Sequence, residues 1–381
     1  MTLLLVHNIK AYIMNPLLKE SFEKLRSYCE SQDFAGWEPY DGLNSKVFQA
    51  LPFFKRSASC RLAVVRKFRR SPVNFRRIAR VPKEHNATGI ALFLSGYCNL
   101  YRAVQRGMKP EIPQDDCLER IRHLARLLLS LKSKGHGGSC WGDNFDRQVR
   151  HKPLFPKNTP TVDATSFAVA ALCEAYEITG DKDYLDEALS AADFVTDALH
   201  EDACGADASK ILSTCYRYTK NEEYKLLART SAEACCEAQN KDGSWADSLD
   251  TGYNLEALQV FQDLTGDHSF RKNISRGFDF YIRNFFLADG IPKYYEDRIY
   301  PVDIRCPGQL FVVLSKSGKY GDWQHLTRKV MRWTLKNMQD RDGYFYYQVR
   351  AHSSSRIPYM GWSNAFMFHG LSCFLLNGYR Q

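Results

Sequence analysis

The sequence predicts an all-α protein in which six helical hairpins close into an (α/α)6 toroid. Turns of one type, a glycine-containing pair followed by an aromatic residue, recur about every 50 residues, a period typical of helical repeats. Between the turns, a helix that is apolar on all sides alternates with an amphipathic one, as expected of an inner and an outer layer. The last helix has no partner next to it in sequence, and the helix near the N-terminus can complete that pair.

The elements follow one another in a regular order. A first helix is predicted at 16–32, and a turn-rich loop at 34–44 follows it. Five complete hairpins begin near residues 87, 163, 205, 252 and 303, and the unpaired last helix is predicted at 361–377. With the pair shared between the termini, this order favours a closed ring over an open solenoid. Short β-hairpins are expected only in the rim loops, most clearly at 343–350, and residues 1–381 are expected to form one domain.

Composition indicates an ordinary soluble protein. Hydrophobic residues make up 44% of the 381-residue chain and charged residues 25%. The twelve cysteines are scattered without a CxxC pair, which indicates reduced thiols rather than disulfides or a zinc site. No segment reaches the roughly 18 apolar residues of a membrane span, and the N-terminus lacks the features of a signal peptide. We therefore expect a cytoplasmic protein without a metal or another cofactor.

The positive charge is concentrated in residues 55–83, which we call the basic arm and expect to form short helices. The arm contains eleven of the 52 lysines and arginines and no acidic residue, whereas the rest of the chain is nearly neutral. It could be a solvated helix face, or it could contact an anionic surface such as phospholipid or the pyrophosphate of a lipid-linked sugar. Nucleic acid is not expected as a partner, because the arm lacks the interleaved aromatic stacking platform that binding of single strands requires. The second interpretation would place the protein at the inner membrane as a peripheral protein.

In such a toroid the N-termini of the inner helices face one common funnel, where we expect the active site. Three aspartates near these N-termini are candidate acid/base groups, and two tyrosines are candidate proton relays: Asp163, Asp250 and Asp303, with Tyr253 and Tyr359. Each aspartate could instead be a helix N-cap. Several carboxylates around one pocket are nevertheless what glycosidic chemistry requires.

The remaining candidates would bind a sugar. Trp141, Trp245 and Trp362 are expected to stack on sugar rings, although Trp141 and Trp245 could simply pack their turns. Arg147, Arg305 and Arg356 could hold an anionic group, while Asp143 and Asp146 could bind hydroxyl groups or form a loop network with Arg147. The substrate-binding set is completed by Asn254, Tyr294 and Tyr344. Aromatic walls mixed with carboxylates and arginines suit an acidic or phosphorylated glycan.

Several motifs resemble those of the VpsJ-like family of bacterial surface-polysaccharide biosynthesis proteins. They include Trp141-Gly-Asp-Asn-Phe-Asp146, Thr159-Pro-Thr-Val-Asp-Ala-Thr-Ser-Phe167, Thr251-Gly-Tyr-Asn-Leu-Glu-Ala-Leu258 and Pro358-Tyr-Met-Gly-Trp362. More remotely, the chain is similar to six-hairpin glycosidases and to the C-terminal domain of glucuronyl C5-epimerases. The resemblance implies a role in making capsule, exopolysaccharide or O-antigen. The chain departs from the family at Asp250 and Arg305, where the family has histidine, and the segment before residue 205 is shortened.

Three functions follow from these observations. Hydrolysis of an acidic or lipid-linked glycan is the first, because the candidate acid/base groups are carboxylates. A uronate C5-epimerase or a β-eliminating lyase is the second. The third is a non-catalytic glycan-binding or assembly protein at the membrane surface, which the missing histidines favour. A terpene cyclase is disfavoured: residues 239–245 match a QxxxGxW turn, but the chain lacks an aspartate-rich motif.

Overall fold

The computed structural model describes residues 16–107, 112–200, 205–246 and 250–377, and helices carry most of these ranges. The helices are α1 (Pro16–Ser31), α2 (Lys46–Gln49), α3 (Pro52–Arg56), α4 (Ala58–Arg70), α5 (Ala87–Gln105), α6 (Gln114–Ser130), α7 (Val162–Thr179), α8 (Lys182–His200), α9 (Ala206–Thr219), α10 (Glu222–Glu237), α11 (Asp250–Thr265), α12 (Arg271–Phe285), α13 (Arg305–Lys316), α14 (Gln324–Met338) and α15 (Phe366–Asn377). A short 3₁₀ helix spans Asp41–Asn44, and a π-helix at Met360–Ala365 leads into α15.

Six of these helices form a closed inner ring. In the order α5, α7, α9, α11, α13 and α15, each contacts the next, and α15 returns to contact α5. The helices α6, α8, α10, α12 and α14 pack outside their inner partners, and α1 packs on α15. The predicted (α/α)6 toroid, closed by the N- and C-terminal helices, is therefore confirmed.

The division into inner and outer helices follows from hydrophobic periodicity. The inner helix α5 buries residues on every side, because both its neighbours in the ring and its outer partner cover it. The outer helix α6 buries a single stripe, whose members are Cys117, Ile121, Leu124, Ala125 and Leu128. Each buried leucine or isoleucine of such a stripe stabilises the fold by about 1.5–3 kcal/mol relative to exposure.

The repeated Asp-Gly turns lie tightly against the next outer helix. Gly243 and Gly343 adopt φ values of +102° and +100°, in the left-handed region that favours glycine. A Cβ atom at Gly243 would lie 2.5 Å from the carbonyl oxygen of Arg276 on α12. A Cβ atom at Gly343 would collide in the same way with the carbonyl oxygen of Lys24 on α1. The turn therefore recurs because the same backbone-to-backbone contact recurs around the ring.

A glutamine four residues before each of these glycines reinforces the contact. The Gln239 side chain donates from Nε2 to the carbonyl oxygens of Gly243 and Asn273, each at 3.1 Å. The Gln339 side chain donates in the same way to the carbonyl oxygens of Gly343 and Ser21, each at 2.9 Å. The QxxxGxW-like motif is therefore a structural clasp between consecutive hairpins.

Strands are short and lie in the loops of the rim. They are β1 (Arg147–Gln148), β2 (Leu154–Phe155), β3 (Val302–Asp303), β4 (Gln348–Val349) and β5 (Ser354–Ser355). Strands β1 and β2 pair antiparallel, and β4 lies between β3 and β5 in a second antiparallel sheet. The hairpin expected at 343–350 is shifted toward the C-terminus, because a bridge between Gln339 and Phe345 closes the Asp-Gly turn first.

The basic arm is anchored to the toroid. It contains the end of α3 and all of α4, as the sequence predicts. Beyond α4, the fully buried Arg76 pairs with Asp41 through Nε and Oδ1 at 2.8 Å. The same guanidinium donates to the carbonyl oxygen of Glu38 at 2.8 Å and lies 4.8 Å from the ring centre of Tyr359. No helix in the described ranges is long and apolar enough to cross a membrane.

Candidate active site at the mouth of the toroid

A cavity of about 430 Å³ opens where the N-termini of the inner helices converge. Its walls come from α5, α7, α9, α11, α13, α15, the π-helix and the loops before α2 and α7. Polar lining residues are Glu38, Asn86, Thr88, Asp143, Asp163, Asp207, Asp250, Tyr253, Asn254, Arg305 and Trp362. We call it the first cavity.

Two aspartates occupy the same position on neighbouring inner helices. Asp163 is the second residue of α7, and Asp207 is the second residue of α9. The cap of α7 is Thr161, whose Oγ1 accepts a hydrogen bond from the backbone N–H of Ala164 at 3.1 Å. Asp163 is therefore not the N-cap, and its carboxyl group is available to the cavity.

The electrostatic environment raises the pKa of both aspartates. The pKa of Asp163 is raised to about 7, first because protein displaces bulk water around the carboxyl group and second because Asp207 and Asp143 are negative neighbours. Burial also raises the pKa of Asp207, against the lowering effect of Lys210. Because the charge of Asp207 raises the pKa of Asp163, ionisation of one carboxyl group disfavours ionisation of the other. Two such groups in one cavity are suited to divide the roles of acid and base between them.

Glu38 and Asp143 also bring carboxyl groups to the wall of the first cavity. The side chain of Glu38 is buried, and burial raises its pKa well above the usual range, although its Oε1 accepts a hydrogen bond from the Gly361 N–H at 2.7 Å. Burial also raises the pKa of Asp143, which the charge of Arg147 partly offsets. A protonated Glu38 can donate a hydrogen bond to a sugar hydroxyl group.

Arg305 lies against the half-buried indole of Trp362 in the first cavity. Its guanidinium carbon lies 4.1 Å from the ring centre of Trp362, and its Nε donates to Asp303 Oδ1 at 3.2 Å. Asp303 is fully buried and also accepts hydrogen bonds from the Arg305 N–H at 3.1 Å and from Gln348 Nε2 at 3.0 Å. Asp303 therefore positions Arg305 and does not line the first cavity.

Helix α11 brings three predicted residues into this cavity. Asp250 begins the helix and is exposed, and Tyr253 and Asn254 follow it on the cavity wall. Burial raises the pKa of Tyr253 well above its usual range, so its phenol stays protonated. The ring of Tyr253 meets that of Phe167 edge-on at 6.2 Å. Tyr253 can therefore donate a hydrogen bond but is not a base at neutral pH.

The structure corrects the prediction that Trp141 and Trp245 stack on sugar. Both indoles are buried and do not line the first cavity. Trp141 donates from Nε1 to the carbonyl oxygen of Leu128, and Trp245 donates in the same way to that of Cys235, each at 2.8 Å. Each indole instead packs its turn against the end of the preceding outer helix, which is the alternative role that the sequence allowed.

Three other candidates also lie outside the cavities. Tyr359 is fully buried, with its ring 5.3 Å from that of Tyr347. It therefore cannot relay a proton to a substrate in the first cavity. Tyr344 packs against Tyr28 at 5.1 Å between ring centres, and the exposed Arg356 covers the ring of Tyr346 at 5.0 Å.

The loop before α7 carries the remaining candidates, of which some line the cavity and others contact the loop itself. Asp143 lines the cavity, whereas Asp146 Oδ1 accepts a hydrogen bond from the Lys157 N–H at 2.9 Å. Arg147 is exposed, and its guanidinium lies 5.2 Å from the ring centre of Phe155. Asp146 and Arg147 thus contact other parts of the loop, and neither forms an ion pair with a described residue.

A second cavity of about 430 Å³ adjoins the first, and Arg305 lines both. Tyr294 and Asp303 lie on its wall, next to Arg69 and Arg70 at the end of α4. The centres of the Tyr294 and Tyr295 rings are 4.6 Å apart. The basic arm is therefore part of the rim and not a separate appendage.

Sequence reasoning missed Asp207, Glu38 and the ion pair between Lys210 and Glu256. Lys210 Nζ lies 2.6 Å from Glu256 Oε1, and both side chains are buried between α9 and α11. A signal for Asp207 was present, since residues 163–165 read Asp-Ala-Thr and residues 207–209 read Asp-Ala-Ser at the start of two inner helices. Glu38 has no such signal, because its contact with Gly361 joins opposite ends of the chain.

No protein-family model matches the chain, and no curated protein matches it at a significant level. Solved structures that share its fold include the following three. The cellobiose 2-epimerase from Bacillus thermoamylovorans has a TM-score of 0.56 at 15% identity, over 94% of this chain and 99% of that one. An unsaturated glucuronyl hydrolase from Streptococcus agalactiae has a TM-score of 0.58 at 12% identity, over 97% and 95%. The GH76 α-mannanase from Bacteroides thetaiotaomicron has a TM-score of 0.53 at 12% identity, over 78% and 88%.

These similarities establish the architecture. The chain has the same (α/α)6 toroid fold as these proteins. At identities between 12% and 15% they do not transfer an activity. Membership of the VpsJ-like family stays a prediction.

Proposed function

We propose that this protein is a carbohydrate-active enzyme that hydrolyses an acidic or lipid-linked glycan during the assembly of a bacterial surface polysaccharide. The observation that carries the proposal is the pair of aspartates at matching positions in the first cavity, both with raised pKa values. The motif resemblance to VpsJ-like proteins supports the pathway. The fold supports the substrate class, because the similar structures named above are a sugar epimerase, a glucuronyl hydrolase and a mannanase.

The two aspartates divide the work of hydrolysis between them. Protonated Asp163 donates its proton to the glycosidic oxygen as the bond from that oxygen to the anomeric carbon breaks. Ionised Asp207 accepts a proton from the water molecule whose oxygen attacks the anomeric carbon. The proton lost by Asp163 is balanced by the one gained by Asp207, and exchange with solvent restores both. General acid and base assistance of this kind contributes about 10²–10⁴-fold each.

Arg305 and Trp362 give the first cavity its preference for an acidic sugar. The planar guanidinium of Arg305 can pair with a uronate carboxylate through two parallel hydrogen bonds. The half-buried indole of Trp362 offers an apolar surface beside it for the CH face of the ring. Because Asp303 holds the Nε of Arg305, the two terminal nitrogens of the guanidinium are left for a ligand.

A uronate C5-epimerase or β-eliminating lyase is the second candidate. This function is favoured because the protonated phenol of Tyr253 lies in the same cavity as Arg305. Arg305 could hold the carboxylate of a uronate, and Tyr253 could return a proton to the adjacent carbon. Hydrolysis ranks first because none of the described lining residues of this cavity is a histidine. A carboxylate with a pKa near 7 is a weak base for a carbon acid but a suitable acid for a glycosidic oxygen.

A product assay on a panel of uronate-containing and lipid-linked oligosaccharides tests the proposal. New reducing ends are expected with the wild-type protein, and Asp163→Asn should lower their rate of formation by about 10²-fold or more. Asp279→Asn, a change at an exposed aspartate of α12, is the matched control and should leave the rate unchanged. Absorbance of a conjugated carboxylate would instead identify a lyase, and uptake of solvent deuterium without cleavage an epimerase. Binding without any of these changes would refute an enzymatic function.

We further propose that the basic arm docks on an anionic membrane. It presents large apolar side chains to solvent, with Phe53 just before it 85% exposed and Ile78 80% exposed, among its many cations. Vesicles containing phosphatidylglycerol should sediment the protein, and Phe53→Ser with Phe54→Ser should weaken this. The control Leu226→Ser removes another exposed apolar side chain, on α10. Equal sedimentation of all three proteins would contradict docking through the arm.

A further inference from the structure

The second cavity carries far more positive charge than its own acidic residues balance. Five arginines line it: Arg69, Arg70, Arg298, Arg305 and Arg350. Asp303 is the one carboxylate among the described lining residues, and it is already engaged with Arg305. Four positive charges therefore face one space without a counter-charge on its wall. Such an arrangement repels itself unless anions of the solvent or of a ligand occupy it.

Ion pairs within the protein do not account for the two arginines that α4 contributes to the second cavity. Neither Arg69 nor Arg70 pairs with a carboxylate of the described residues. Arg350 donates from Nη1 to the carbonyl oxygen of Arg70 at 2.8 Å, which holds the end of α4 against the rim. The neighbour of Arg298 is Asp297 at 3.5 Å, and more than half of each side chain is exposed. The guanidinium groups therefore keep hydrogen-bond donors that no described acid uses.

Arg305 connects this charge to the first cavity. Its side chain is nine-tenths buried and makes one ion pair, through Nε, with Asp303. Its two terminal nitrogens make no hydrogen bond with the described residues. A buried guanidinium with unused donors is costly unless a ligand or water completes its hydrogen bonds. A ligand that extends from the first cavity into the second would pass this group.

The walls of the second cavity also suit an oxyanion. The guanidinium carbon of Arg298 lies 3.8 Å from the ring centre of Tyr295, and that of Arg69 lies 5.3 Å from the ring centre of Tyr40. Aromatic stacking of this kind holds a guanidinium flat and leaves its edge free for a phosphate or carboxylate. Burial raises the pKa of Tyr347 well above its usual range, so this phenol remains a hydrogen-bond donor.

We propose that the second cavity is a subsite for a phosphate or diphosphate ester attached to the glycan. The number of cations selects this ligand, because a single uronate carboxylate brings one negative charge, which Arg305 alone can pair. A diphosphate brings at least two charges and several acceptor oxygens, and so uses the arginines of the basic arm as well. This inference rests on the proposed function for the glycan itself and names the group that accompanies it. The basic arm then has a local role at the mouth of the enzyme.

Calorimetric titration of the full-length protein with inorganic pyrophosphate tests the subsite. The wild-type protein should bind pyrophosphate more tightly than sodium glucuronate, and binding should weaken as salt is added. Arg69→Gln with Arg70→Gln should weaken pyrophosphate binding about tenfold or more, since two charge-assisted hydrogen bonds are lost. The matched control, Arg66→Gln with Lys67→Gln, removes the same charge from exposed positions of α4 outside the cavity. It should change binding little.

Several outcomes would overturn the subsite. These are no binding of pyrophosphate to the wild-type protein, equal losses in the two double variants, or tighter binding of glucuronate. Thermal unfolding followed by circular dichroism separates a lost subsite from a lost fold, because both double variants should unfold near the wild-type temperature.

The subsite and the proposed reaction can fail separately. Asp163→Asn should still bind pyrophosphate, because Asp163 lines only the first cavity. Pyrophosphate binding without cleavage of any glycan would refute the reaction and support the subsite. Cleavage by a protein that does not bind pyrophosphate would do the reverse.

Discussion

Replacing Asp163 by asparagine should stabilise the protein, and more so as the pH rises. The folded state holds the pKa of this carboxyl group at about 7, whereas the unfolded chain has a value near the ordinary 3.8. The folded state therefore binds the proton more tightly, and its stability falls as pH rises from about 4 to about 7. Asparagine carries no such charge, so the penalty disappears in the variant.

The size of the effect follows from the exposure of the side chain. For a group removed from water, the difference between a pKa of about 7 and the ordinary 3.8 would correspond to about 4 kcal/mol. Asp163 is exposed to water within the cavity, which screens its charge. We therefore expect a gain on the order of 1 kcal/mol at about pH 8 and a smaller one at about pH 5.

Urea unfolding of the wild-type protein, Asp163→Asn and the control Asp279→Asn at these two pH values measures the gain. The control variant changes an exposed aspartate of α12 and should match the wild-type protein at both. A variant no more stable than the wild-type protein at the higher pH, or a gain independent of pH, would refute the reasoning.

Two further predictions concern the frame of the site. Arg76→Met should lower the free energy of unfolding by about 3–5 kcal/mol, because it leaves the buried carboxylate of Asp41 without its partner; a loss below about 1 kcal/mol in urea unfolding would contradict this. Gly343→Ala should destabilise the folded protein more than Gly318→Ala. Both glycines have a positive φ, but of the two only Gly343 would place its Cβ against a backbone carbonyl, that of Lys24. Equal melting temperatures for the two variants would show that the turn can move away from α1.

The architecture was predictable because its signals are local and repeated. An Asp-Gly pair such as that at Gly243 favours a turn, and the same contact with the next outer helix recurs at Gly290 and Gly343. A count of the hairpins then indicated that the first and last helices have no partner next to them in sequence and pair with each other. Their contact in the structure is the physical consequence, because an open ring would expose the apolar faces of α15 and α5.

The site was predictable only in part. Its place at the N-termini of the inner helices follows from the fold, and Asp163, Arg305 and Trp362 lie in one cavity as expected. The direction of an aromatic side chain near a turn is not a local property. Trp245 turns into the core because the carbonyl oxygen of Cys235 accepts its N–H, and Tyr359 is covered by Arg76 from a segment distant in sequence.

An NMR titration of the aspartate carboxyl carbons tests the central claim most directly. That claim is that Asp163 and Asp207 form an acid/base pair poised near neutral pH. The account predicts that Asp163 titrates at about 7 in the wild-type protein and at a lower pH in Asp207→Asn, where one of the charges that raise its pKa is absent. An Asp163 that titrates near the ordinary value of about 4, or that ignores the change at Asp207, would contradict it.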